Sequence, residues 1–238
     1  RQIFIVDNRQ SLHFKQLFAT LTRMGFTGNM KHVAYDMVTL PDGAMSSRKG
    51  NIVIYKDMKQ QMVNYVTAET KKRHEDWSDK KIAEVAENLA HAAIAFTMLK
   101  QDANSTITFN KDEAISVEGF TGPYILYTMA RVHGVFDKAD VKAKELPNLL
   151  THEKELEIAK KLADYPELVV ESAINYAPAM IATYAFELAK LFAEYYHDVK
   201  ILNEDSDLTS ARLTLLKAIL QVLENACELL TMKPVTNM

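Results

Sequence analysis

Cysteine is nearly absent from this chain: Cys227 is the single one in 238 residues. No internal disulfide is available, so a reducing compartment, the cytoplasm, is the expected home. The run Ile219-Leu220-Gln221-Val222-Leu223-Glu224-Asn225-Ala226-Cys227 reads as helix packing, which leaves the thiol without a chemical role. Long apolar runs are missing too. None reaches the ~20 residues that span a bilayer, and the first residues lack the positive, apolar, then small order of a secretory signal, so no membrane partner is expected. An excess of one charge sign is also lacking. With 28 basic and 31 acidic residues, a net charge of -3 and a pI near 6.2, the chain is no general nucleic-acid coat, although a local basic patch remains compatible. There is no fixed-period repeat, no low-complexity linker and no heptad run long enough for a coiled coil. What is present is apolar substance. At 48% hydrophobic and 25% charged, the chain can bury the core of one large or two modest domains, and disorder is excluded.

The first residues read as half of a larger unit. Ile3-Phe4-Ile5-Val6 is expected as a buried strand, with Asp7-Asn8 at its carboxyl end and a helix from about Leu12 carrying Phe14, Leu17, Phe18, Leu21 and Met24 at three-and-four spacing. One βα step of a parallel sheet needs further strands beside it, so a missing N-terminal portion is expected. His32 to Leu40 reads as another strand, Pro41-Asp42-Gly43 as a turn, and Ile52 to Tyr55 as a short extended segment.

From about residue 57 the pattern is almost continuously helical. Ser78 is suited to cap a helix, Asp79 favours its positive end, and Trp77 and Ile82 are spaced for a hydrophobic staple. A domain boundary is therefore placed at 77, giving domains 1–76 and 77–238. The helix from there is expected to bury Ile82, Val85, Leu89, Ala93, Ile94 and Leu99, and the polar stretch Gln101 to Thr106 ends it. Thr121-Gly122-Pro123 opens another helix with proline in its first turn. Later helices are expected to start near Thr151, Pro166, Pro178 and Ser206, the last running to about Leu230.

Four groups of residues carry chemistry. Met45-Ser46-Ser47-Arg48-Lys49-Gly50 combines two hydroxyls, an arginine fork, a lysine point charge and a glycine that lets backbone approach a ligand, which suits phosphate; an ordinary solvated turn is the alternative. Asp7, Gln10 and His13 lie where a strand hands over to a helix, a usual place for ligands, although Asp7 also suits a plain helix cap. Tyr124, Tyr127 and Arg131 share one helix face that suits bases and phosphate, or core packing. Beside the stripe Ile181, Tyr184, Leu188, Leu191, Phe192, Tyr195 and Val199, the pair Tyr196 and His197 is placed to meet unstacked bases.

In this order the residues resemble the arginyl-tRNA synthetase family of class I synthetases. The resemblance rests on RQIFIVD with Arg9-Gln10 and His13-Phe14, on AMSSRKGN as a version of the KMSKS loop at 44–50, and on FNKDEAISVEGFTGPYILYTMAR at 109–131. ATYAFELAKLFAEYYHDVKI and the ending SARLTLLKAILQVLENACELLTMKPVTNM are similar to the family's closing helices, and Met238 to its natural C-terminus. It implies a mainly α chain: the C-terminal part of a Rossmann-like α/β catalytic domain, then an all-α helical-bundle anticodon-binding domain.

The resemblance further implies that ATP, with the Mg²⁺ it carries, activates arginine as an adenylate, and that the arginyl group passes to tRNA(Arg). Ser46, Ser47, Arg48 and Lys49 would then stabilise phosphoryl charge, with Asp7, Gln10, His13, Met45 and Gly50 lining the arginine and ATP pocket. Tyr127, Arg131, Tyr196 and Met238 would meet tRNA, and no protein-ligated metal is expected. Two departures stand out. Ala44 and Ser47 replace the usual KMSKS lysines, and no HIGH-like tetrapeptide occurs, so the piece is expected to be inactive without the missing half of the enzyme. Two other readings are a non-catalytic tRNA-binding module derived from a synthetase and a cysteinyl relative. One cysteine, where zinc ligands would be needed, gives the latter no support.

Overall fold

The computed structural model describes residues 1–41, 54–236 and 238. Two compact units are present, Arg1–Val53 with Gln101–Asn110, and Ile54–Lys100 with Lys111–Met238.

In the first unit, β1 (Gln2–Asp7) pairs in parallel with β2 (Met30–Tyr35), and α1 (Ser11–Arg23) makes the crossover. Phe4 rests on Phe14 and Phe18 at centroid distances of 5.3 and 5.6 Å, and His32 stacks on Phe14 at 4.5 Å. Only one face of β1 is covered this way. Ile3 and Ile5 are 49% and 70% exposed, so the expected buried strand is half-buried on one side, at Phe4 and Val6, and open on the other among the described residues. Parallel strands are ordinarily covered on both faces. The expected strand from His32 to Leu40 is interrupted: regular pairing stops at Asp36 and Met37 and resumes as β3 (Val38–Thr39). There it meets β4 (Ile107–Thr108), which returns from far along the chain to pair in parallel with β3.

The second unit is built from helices: α2 (Tyr55–Arg73), α3 (Asp79–Leu99), α4 (Lys111–Ile115), α5 (Gly122–Phe136), α6 (Glu153–Asn175), α7 (Pro178–Asp198) and α8 (Ser206–Leu229). Their starts follow local chemistry. Ser78 Oγ accepts from Lys81 N at 3.3 Å, Thr121 Oγ1 from Tyr124 N at 3.2 Å, and Asp205 from Asp207 N and Leu208 N, each satisfying a free helix-end amide. At α6, His152 Nδ1 accepts from Lys154 N while Glu155 Oε2 accepts from His152 N, a reciprocal cap. The apolar stripes converge on one core of Phe96, Leu126, Met129, Leu188, Phe192, Leu216 and their neighbours. Cys227 lies fully inside it, and burial pushes its thiol up to about 12.

Several expectations need correction. Pro166 does not start a helix but lies inside α6, whose capped first turn and buried Ile158 and Tyr165 carry the helix past the lost amide bond. Tyr55 is the first residue of α2 and not the end of an extended segment, while Asn51 to Val53 lie outside the described residues. By length and mean hydropathy α3 passes for a membrane-crossing helix, as the core helix of a globular unit also can. More than half of that stretch is buried, with Ile82, Leu89, Ala93 and Phe96 turned into the core. The units also divide differently from a boundary at 77, since α2 belongs with the helices and residues 101–110 return to the strands.

Candidate functional site

The arginine–aromatic cluster of the second unit starts from α5. Its first turn needs a close approach. A Cβ on Gly122 would stand 2.5 Å from the Ala92 carbonyl oxygen of α3, so only glycine lets the two helices touch there. With that register fixed, Ile125, Leu126, Met129 and Val132 go inward, while Tyr127 and Arg131 come partly to the surface one turn apart. Arg131 Nη2 donates to the Tyr127 hydroxyl at 2.7 Å, and its guanidinium lies 4.7 Å from the Tyr127 ring centre and 5.5 Å from that of Tyr196. Both rings are within cation–π range. Met238 closes one side of the same cleft with His74 and Trp77, around a volume of about 300 Å³.

Helix α7 supplies Tyr196 because its other face is pinned. Tyr195 donates to Glu155 Oε1 at 2.9 Å, and Arg212 Nε donates to the same oxygen at 2.7 Å, all three being buried. Tyr184 similarly donates to the Lys161 carbonyl at 2.6 Å. These bonds set the rotation that leaves Tyr196 exposed. His197 points to solvent and pairs with Asp198 at 2.9 Å, and Tyr124 packs on Phe186 at 5.3 Å. Neither adds a ring to the Arg131 stack.

Sequence reasoning missed part of this surface. His74 and Trp77 stack at 3.9 Å with their rings 15° apart, and Lys81 Nζ sits 3.8 Å over the Trp77 ring. Trp77 had been read only as a staple; the signal was the run Lys71-Lys72-Arg73-His74 leading to the chain's one tryptophan. A second cleft of about 370 Å³, floored by Val66 and Leu89 and edged by Tyr65 and Arg73, shares His74 and Met238 with the first. The combination of stacking rings, a guanidinium and nearby cations suits unstacked bases and phosphate.

On the first unit, the strand-end constellation is divided. Asp7 accepts from Arg9 N and Nε at 2.8 Å and from Nη2 at 2.7 Å, which lowers its carboxyl to about 2 and makes it a cap and ion-pair partner. Gln10 and His13 are exposed at the start of α1, three residues apart. Asp36, which the sequence reading passes over, follows directly on β2 and accepts from Thr106 Oγ1 at 2.6 Å. That bond, with one from the Met37 amide, lowers its carboxyl. The phosphate-suited residues Met45, Ser46, Ser47, Arg48, Lys49 and Gly50 lie outside the described residues. Among the described residues no group of His, Cys, Asp and Glu is assembled to hold a metal.

Comparison with known proteins gives two matches in order along the chain, the first running through α2 and α3 of the second unit. Residues 1–110 match the model of the class I (R) tRNA synthetase catalytic domain, and residues 125–238 match that of the DALR anticodon binding domain. The chain is 37% identical over 235 residues to the arginine–tRNA ligase of Borrelia hermsii, covering 96% of this chain and 40% of that protein. To the ligase of Bdellovibrio bacteriovorus it is 36% identical, covering 98% and 41%. Among solved structures, Thermus thermophilus arginyl-tRNA synthetase superposes with a TM-score of 0.90 at 28% identity, over 99% of this chain and 41% of that one. The Plasmodium falciparum enzyme, at 23% identity and a TM-score of 0.84, shares the fold. The chain thus spans about two-fifths of the length of the relatives it matches. With a class I (R) catalytic type of match over 1–110 and a DALR anticodon-binding type over 125–238, in that order, this chain matches one part of the arginyl-tRNA synthetases along nearly its whole length.

Proposed function

We propose that this chain is the share of an arginine–tRNA ligase that joins the pyrophosphate-facing end of the adenylate site to the surface that holds tRNA(Arg). In that reaction the arginine carboxylate attacks the α-phosphorus of ATP, pyrophosphate leaves, and the 3′-terminal adenosine hydroxyl of tRNA then takes the arginyl group from AMP. Charge accumulates on phosphoryl oxygens in the first step. Ser46, Ser47, Arg48 and Lys49 are the donors suited to it, with the Mg²⁺ that accompanies ATP as part of the substrate. Gln10 takes the arginine side and His13 the nucleotide side, with Asp7 holding the turn that presents them. Met45 and Gly50 frame the loop. The reducing cytoplasm fits both this work and the single buried thiol.

The observation that carries this reading is the ordered pair of family matches, catalytic over 1–110 and anticodon-binding over 125–238. The Arg131 stack with Tyr127, Tyr196 and Met238 supplies a physical reason for RNA to bind the second unit. Because no HIGH-type tetrapeptide occurs in these residues, the chain alone is expected to bind tRNA without activating arginine. Purified chain should retain tRNA(Arg) in a filter assay and give no ATP–pyrophosphate exchange, and exchange should appear when the remaining part of the ligase is supplied. Exchange by the chain alone overturns the division of labour proposed here. A non-catalytic tRNA-binding module is the second reading, favoured by an RNA-suited face contained within one unit. Persistent failure of exchange with the complementing part, alongside normal tRNA binding, would select it.

A further inference from the structure

The outward face of α6 is divided lengthwise into an apolar half and an acidic half. Leu156, Ala159, Ala163, Pro166, Val170 and Ile174 follow one another at three-and-four spacing and are all exposed, the three largest at 57%, 58% and 64%. A stripe from Leu156 to Ile174 extends about 27 Å along the helix, far beyond a scattered exposed side chain. Beside it stand Glu157, Asp164, Glu167 and Glu171, all exposed and without an ion-pair partner among the described residues. The helix's cations have gone the other way. Lys154 reaches Glu194 at 2.8 Å and Lys161 reaches Glu187 at 2.5 Å, both on α7, which leaves Lys160 as the one lysine of α6 on the outer face.

We propose that this face of α6 docks a basic amphipathic helix presented by a separate polypeptide. The apolar stripe sets the register by the spacing that two packed helices share. The charge decides the occupant. Four unpaired carboxylates repel RNA and anionic membrane, and a second copy of α6 would bring those carboxylates against their own kind. A helix with leucines on one side and lysines on the other satisfies both halves at once. The small residues Ala159 and Ala163 at the middle allow close approach, and the flanking acids steer the encounter. This surface is independent of the Arg131 cluster, since none of its residues lines either cleft there.

A fluorescein-labelled 18-residue peptide with leucine at three-and-four spacing and lysine elsewhere tests the proposal by anisotropy with the purified chain. The expected result is saturable one-to-one binding, weakened at least tenfold by Leu156→Ser with Val170→Ser, and to a similar degree by Glu167→Lys with Glu171→Lys. All four substitutions are at exposed positions, and unchanged circular dichroism establishes that the fold persists. The same peptide with glutamate for lysine should not bind. Binding indifferent to the serine pair would reduce the effect to unspecific charge attraction and overturn the proposal. So would a concentration-dependent dimer in sedimentation that Val170→Ser abolishes, because a second copy would then be the occupant. Loss of peptide binding in the full-length ligase also overturns it, since the same polypeptide would cover the face.

Discussion

The Tyr195 hydroxyl donates to Glu155 Oε1 at 2.9 Å within the helical core, tying α7 to α6 one residue before Tyr196 emerges beside Arg131. Arg212 completes the arrangement by donating Nε to the same oxygen at 2.7 Å and Nη1 to the Lys200 carbonyl at 2.9 Å. Burial, first, and then the neighbouring Glu155 carboxylate push the Tyr195 hydroxyl well above its ordinary range, so it remains a donor at any physiological pH.

Removing the cation should therefore be severe. Arg212→Met leaves Glu155, 1% exposed, without its counter-charge, and the expected loss is about 3–5 kcal/mol in urea denaturation. Tyr196 should lose its fixed orientation with it, so tRNA binding falls even where the variant is folded.

The RNA face separates into a charge and a ring. Arg131→Ala should reduce the slope of log Kobs against log salt by about 0.7, one phosphate of a single strand, in filter binding with tRNA(Arg). Tyr196→Ala should weaken binding by about 1–3 kcal/mol with the slope unchanged, as expected for a lost stacking platform. Equal salt slopes for wild type and Arg131→Ala would remove the guanidinium from phosphate contact.

At the helix contact, Gly122→Ala sets a methyl group 2.5 Å from the Ala92 carbonyl oxygen and 2.9 Å from Phe96 Cβ. Neither the α3 backbone nor that Cβ is the yielding end of a flexible side chain. A destabilisation of about 1–3 kcal/mol is expected, seen as a fall of several degrees in Tm.

Tyr165 offers the opposite sign. Its hydroxyl is buried with no hydrogen-bond partner among the described residues, and its ring lies 5.2 Å from that of Tyr184. Tyr165→Phe keeps the ring and removes the unsatisfied group, so stability should rise by about 1 kcal/mol in the same denaturation assay.

Asp7 gives the strand-and-helix unit an acid limb. Its carboxyl falls from 3.8 to about 2 through hydrogen bonds from the Arg9 side chain and amide. Because the folded value lies below the unfolded one, this contribution is complete above about pH 4 and disappears as pH falls towards 2. Asp7→Asn should flatten the acid side of the unit's pH–stability curve, followed by circular dichroism, and leave the neutral side lower by a constant amount.

Much of the helical unit was legible from local chemistry. Ser78, Thr121 and Asp205 cap as their side chains allow, and the α7 stripe buries Tyr184, Leu188, Phe192 and Tyr195 as its spacing predicts. Pro166 misled because a local rule about prolines cannot weigh the burial of Ile158 and Tyr165 on either side of it. The return of residues 101–110 to β3 was equally hidden, since a two-residue parallel pair has no periodic signature and depends on partners about 70 positions away.

By itself the sequence determined the helix starts at Ser78 and Thr121, the buried stripes and the family order of the two halves. Such features depend on neighbours within one or two turns, where spacing and capping act directly. Only the tertiary structure decided that Arg131 stacks on both tyrosines, that His74 and Trp77 join them, and that α6 turns its lysines inward and its carboxylates out. Each of these depends on which face packing leaves free and on residues brought together from different elements.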